Sequence, residues 1–80
     1  MQKYKFTGYF ENEVIRKRPY LKKEWCIEVI ENPIRIECQE KNRFRLWGTI
    51  DEFGKRILRV ITLEDKITIH NAFFDRRCKP

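Results

Sequence analysis

The chain has little of what most catalytic signatures are built from. Its 80 residues include one histidine, three glycines and three cysteines. Gly8, Gly48 and Gly54 stand far apart, so no glycine-rich loop is available to cradle a phosphate. Cys26, Cys38 and Cys78 are odd in number and lack CxxC spacing. A zinc site would need all three together with His70, drawn from distant segments. No metal or cofactor is therefore expected. No apolar run approaches the roughly 20 residues that span a bilayer, and no charged-then-apolar leader opens the chain. The expectation is a cytoplasmic protein with reduced thiols and no membrane partner. Repeats, low-complexity tracts and linkers are also missing.

What remains is a dense supply of apolar and charged side chains. Residues 1–80 suit a single domain, and a hydrophobic share of 41% gives it a core despite 38% charged residues. Eighteen Lys and Arg against twelve Asp and Glu leave a net charge of +6. That excess suits nucleic acid, an acidic protein or an anionic surface, although charges paired on a solvated surface account for it as well.

Tyr4 to Thr7 alternates as a short strand, and Thr7 or Gly8 can cap a helix from about Tyr9 to Lys17. Phe10 and Val14 form its i, i+4 apolar pair, and Pro19 ends it by disfavouring helical backbone at Arg18. Leu21, Trp25, Cys26, Val29 and Ile30 form a one-sided stripe that predicts a second helix from about Lys22 to Glu31. Asn32-Pro33 stops that helix.

The rest reads as strands. Ile34, Ile36 and Cys38 alternate with Arg35, Glu37 and Gln39, and Phe44, Leu46, Gly48 and Ile50 alternate with Arg43, Arg45, Trp47 and Thr49. Residues facing each other across a hairpin share a face. A three-residue connection satisfies this rule by setting Cys38 against Phe44, Ile36 against Leu46 and Glu37 against Arg45. A turn at Asp51–Lys55, a central apolar strand from Arg56 to Leu63, a turn at residues 64–66 and a last strand from Ile67 to Phe73 follow. The expected class is α+β, in the order β-α-α-β-β-β-β. Two N-terminal helices would pack on one face of a mostly antiparallel sheet of four to five strands.

The helix-free face is then expected to show Arg35, Glu37, Gln39, Arg43, Arg45, Trp47 and Thr49, joined by Thr68 and His70. Ile67, Ile69 and Phe73 would lie on the apolar side. Arg59, flanked by Ile57 and Ile61, is not assigned to a face. Arginines around an aromatic suit single-stranded RNA, because guanidinium groups pair with phosphate and an indole stacks on a base. Ordinary cross-strand ion pairs, with Trp47 packing over Arg35, are the other reading. His70 can serve as a general acid or base, or as a hydrogen-bonded structural residue. RNA cleavage needs no more than an internal 2′-hydroxyl, positioning and cationic stabilisation.

Several strings resemble the small RelE/ParE-superfamily toxins, nearest the BrnT-like branch and related short uncharacterised domains. These are Lys17-Arg18-Pro19-Tyr20-Leu21 before the second helix, the Glu31-Asn32-Pro33 stop, Arg43 to Gly48, Leu58-Arg59-Val60-Ile61, and Ile67 to Ala72 ending in Asp75-Arg76-Arg77. The branch's turn histidine is Arg18 here, and the arginine expected after the last strand is not at Asn71 or Ala72. The resemblance implies a toxin that cleaves mRNA and is held by a cognate antitoxin. Arg45, Arg59, His70 and Arg76 would be catalytic, and Arg35, Arg43, Trp47, Arg77 and Lys79 would bind RNA. A non-catalytic RNA- or protein-binding module with a toxin-like fold is the alternative.

Overall fold

In the computed structural model, residues 4–75 are described. They form an α+β domain with two short helices and a mostly antiparallel five-stranded sheet. The strands are β1 (Lys5–Phe6), β2 (Arg35–Gln39), β3 (Arg43–Ile50), β4 (Arg56–Thr62) and β5 (Thr68–Phe74), in the order β1-β5-β4-β3-β2. Strands β2 to β5 form an antiparallel meander, and β1 pairs parallel with the start of β5, Lys5 opposite Thr68. Short turns allow the antiparallel pairs, whereas the parallel pair needs the whole intervening chain to cross over. The apolar run around Leu58 to Ile61 occupies the middle strand, as its continuous hydrophobicity requires.

The first helix, α1, combines a π-helical stretch, Phe10–Val14, with a short α turn, Ile15–Lys17. Thr7 opens it: its hydroxyl accepts the Phe10 N–H at 3.1 Å and its carbonyl accepts the Glu11 N–H at 3.1 Å. The Ile15 N–H then reaches back to the Phe10 carbonyl, one residue further than in an α-helix. A regular α-helix was expected, but a four-residue spacing lies near one turn of either helix. The Phe10/Val14 pair therefore does not discriminate between them, and both side chains are fully buried. The second helix, α2 (Lys23–Glu31), buries Trp25, Cys26 and Val29. Burial pushes the Cys26 thiol up to about 12, so it stays protonated.

The two helices bear on different strands. α2 lies over β3 and β4, while the π-helical part of α1 lies beside β5. At Gly48 an added Cβ would stand 3.0 Å from Val29 Cγ2 and 3.2 Å from Val29 Cα, so the missing side chain lets α2 approach β3 closely. One core joins Phe10, Val14, Leu21, Trp25, Cys26 and Val29 to Leu46, Ile50, Leu58, Val60, Ile69 and Ala72. Beside it, Phe53 stacks on Phe74 at 4.7 Å and tilts against Trp25 at 5.2 Å. These contacts tie α2 to the β3–β4 turn and to the end of β5. In that turn, Gly54 has φ 68° with nothing near its Cα that a side chain would strike, so its backbone conformation rather than space requires glycine.

The β2–β3 hairpin has the expected register, Ile36 opposite Leu46, Glu37 opposite Arg45 and Cys38 opposite Phe44, with three residues between the strands. Alternation in β5 departs from expectation. Ile69 and Ala72 are both fully buried although three residues apart, and the β4–β5 pairing shifts register between Ile61 and Thr62. The extra residue of this bulge reverses the faces downstream. Phe73 therefore lies opposite Arg59, while Phe74 packs on the core.

Candidate anion-binding face

Strict alternation along β3 sends Leu46, Gly48 and Ile50 toward the helices and Arg43, Arg45, Trp47 and Thr49 the other way. The register then builds a row across the sheet: Arg35 opposite Trp47, Trp47 opposite Arg59, and Arg59 opposite Phe73. Cations and rings alternate along this row at contact distance. The Arg35 guanidinium carbon lies 5.2 Å from the Trp47 ring centre, and that of Arg59 lies 5.4 Å from Trp47 and 5.1 Å from Phe73. Arg18, at the end of α1, closes the row 5.8 Å from Phe73. Arg45, two residues before Trp47, sits 6.0 Å from the same indole. All five distances fall within the range in which a ring quadrupole attracts a cation.

Two carboxylates hold the row in place. Asp75 accepts the Trp47 Nε1–H at 3.1 Å and lies 3.7 Å from Arg59 Nη1. The Asp75 N–H continues the ladder to the Ile57 carbonyl at 2.9 Å, which positions its side chain. Glu37 pairs with Arg35 and, at 3.4 Å, with Arg45. Trp47 is only 5% exposed, and Ile57 and Ile61 on the same side are each 8% exposed. Stacked guanidinium groups do on this face what helices do on the other. Among the described residues, Arg45 Nε and Arg59 Nε are buried donors with no hydrogen-bond partner.

The expected site residues divide into three groups. Arg35, Arg45, Trp47 and Arg59 come together, and the structure assigns Arg59 to the Trp47 side, which its apolar neighbours in sequence had left open. Arg43 shares their face, opposite Gln39. Trp47 packs beneath Arg35 and Arg59, so its indole faces are taken by arginines rather than presented outward. His70 stands apart from this row. Its Nδ1 is 3.1 Å from Thr7 Oγ1, and its ring stacks on Tyr9 at 4.9 Å. Burial, and then the positive charge of Arg43, lower its pKa below the ordinary 6.5, which favours the neutral imidazole. Thr68, also expected on the open face, gives its hydroxyl to Asp65 at 2.6 Å. Arg76, Arg77 and Lys79 lie outside the described residues.

Three participants escaped the sequence reading. Phe73 was assigned to the apolar side because the bulge is invisible in the residue pattern. Arg18 entered the sequence reading only as the residue before Pro19 and in the place of a turn histidine. Asp75 entered the sequence reading only in the string Asp75-Arg76-Arg77 that follows the last strand.

A cleft beside α2 is acidic, lined by Glu24, Glu28, Asp51 and Glu52 around Trp25. Among the described residues no group of His, Cys, Asp and Glu side chains is arranged to hold a metal ion, and no helix is long and apolar enough to cross a membrane. No protein-family model, curated protein or solved structure matches the chain.

Proposed function

We propose that the arginine-bearing face is a non-catalytic binding surface for single-stranded RNA. The observation that carries this reading is the charge on that face. Among the described residues, Arg18, Arg35, Arg43, Arg45 and Arg59 stand against the carboxylates of Glu37 and Asp75. Phosphate oxygens supply acceptors for the exposed guanidinium donors of this face. Because Trp47 is covered, bases would stack on the outer planes of the arginines, above all Arg35, whose side chain is 59% exposed.

The ribonuclease-toxin reading, with mRNA as substrate and a cognate antitoxin as partner, is the competing proposal for the same face. It requires His70 to work with Arg45, Arg59 and Arg76. Against it, the His70 ring is occupied by Thr7 and Tyr9. Incubation of the chain with a labelled single-stranded RNA separates the readings. Binding that weakens steeply with salt, with the RNA intact, supports the binding module. RNA cleavage that is lost in His70→Ala replaces it with the ribonuclease. No binding at low salt overturns both.

A further inference from the structure

The sheet ends on β2, and its outer edge has a composition that suits a copy of itself. Ile36 is 48% exposed and Cys38 is exposed, both on the helix side of the strand, and Ile34, just before the strand, is 47% exposed. On the other side stand Arg35, Glu37 and Gln39. Edge strands are ordinarily blunted by charged side chains, above all lysine, by proline or by a bulge. No lysine, proline or register shift interrupts Arg35–Gln39, and its two charges, Arg35 and Glu37, are of opposite sign; Pro33 lies just before it.

We infer that two copies of the chain pair antiparallel along β2, centred on Ile36, to form one continuous ten-stranded sheet. The register follows from the sequence of the strand. Opposite residues must share a face, so the centre falls on a residue rather than between two. Centring on Arg35 or on Glu37 sets like charges directly opposite, which destabilises the pair. Centring on Ile36 sets Ile36 against Ile36 of the partner subunit, Ile34 against Cys38 of the partner subunit, and Arg35 against Glu37 of the partner subunit. Both the apolar and the charged side are then complementary, twice over by symmetry. The helices of both copies fall on the same side, and the two arginine rows join into one open face. This inference rests on the β2 edge and stands whether or not that face binds RNA. A five-residue ladder is short, so the dimer belongs to the weak, concentration-dependent class.

Sedimentation equilibrium of the full chain tests it. The wild-type chain is expected to shift from monomer to dimer as its concentration rises toward roughly millimolar. Ile36→Lys is expected to remain monomeric, with an unchanged circular dichroism spectrum and melting temperature, because the side chain it replaces is half exposed. The register has its own readout. Under oxidised glutathione, Ile34→Cys is expected to form an intermolecular disulfide with Cys38, since facing residues of paired strands lie within disulfide reach. The bridge should vanish in Ile34→Cys/Cys38→Ser. A wild-type chain that stays monomeric throughout overturns the inference. So does a dimer indifferent to Ile36→Lys, and so does a dimer in which Ile34→Cys fails to crosslink.

Discussion

The two faces of this sheet bury side chains to a similar depth by different means. On the helix side, Leu58, Val60 and Ile69 are sealed by Phe10, Val14, Trp25 and Val29. On the other side, Trp47 is sealed by guanidinium groups that remain partly hydrated. An aliphatic core is held by shape and excludes water entirely. A cation–ring layer covers apolar surface while keeping its charge available to a ligand. Both faces of the same strands thus contribute to fold stability, while the proposed function is assigned to the arginine-bearing face alone.

The strongest test of this comparison is truncation on each side. Leu58→Ala should cost about 3 kcal/mol in urea unfolding, and Trp47→Ala a comparable amount. If Trp47→Ala costs under about 1 kcal/mol, the open face is ordinary surface and the comparison fails. Gly48→Ala should cost about 1–3 kcal/mol, because the new methyl group meets the Val29 backbone as well as its side chain. Its effect on RNA affinity should be small, which separates the helix side from the open side.

Subtler changes sharpen the comparison. Trp47→Phe retains a ring between Arg35 and Arg59 but removes the hydrogen bond to Asp75, for an expected loss of about 1 kcal/mol. Replacing Arg35 and Arg45 by Gln should cost about 1–2 kcal/mol, because two cations over the Trp47 ring and both ion pairs of Glu37 are lost. The salt dependence of RNA binding should become shallower, by roughly 0.7 in log–log slope for each phosphate contact removed.

The smallest effect concerns pH. Burial and Arg43 lower the His70 pKa in the folded chain below 6.5, so the folded state binds fewer protons there than the unfolded state. Its contribution to stability is complete above pH 6.5 and declines as pH falls through the folded midpoint. An NMR titration should place the His70 midpoint below 6.5, and His70→Asn should flatten this part of the stability profile. A midpoint at or above 6.5 would contradict the environment described for this ring.

Much of the candidate site was legible because β3 alternates without interruption. Arg43, Arg45 and Trp47 share a face by strand geometry alone, and charge pairing across the hairpin selects the register that sets Glu37 against Arg45. Arg59 was not legible in the same way. Isoleucines on both sides of it in sequence share its face, so the pattern alone gave no contrast between covered and open. Phe73 was misread for a different reason. A bulge changes which residues share a face without altering composition, so a period of two, followed through it, gives the wrong side.

By itself, then, the sequence determined the α+β class, the second helix, the β2–β3 register and the basic character of one sheet face. Each follows from local periodicity, stop residues or pairing between segments adjacent in the chain. Only the tertiary structure decided the π-helical turn of α1, the parallel pairing of β1 with β5, and the row from Arg18 to Arg35 across the sheet. The last two depend on contacts between segments far apart in the chain, and the first on a one-residue shift of a local hydrogen bond that carries no signature in the residues themselves.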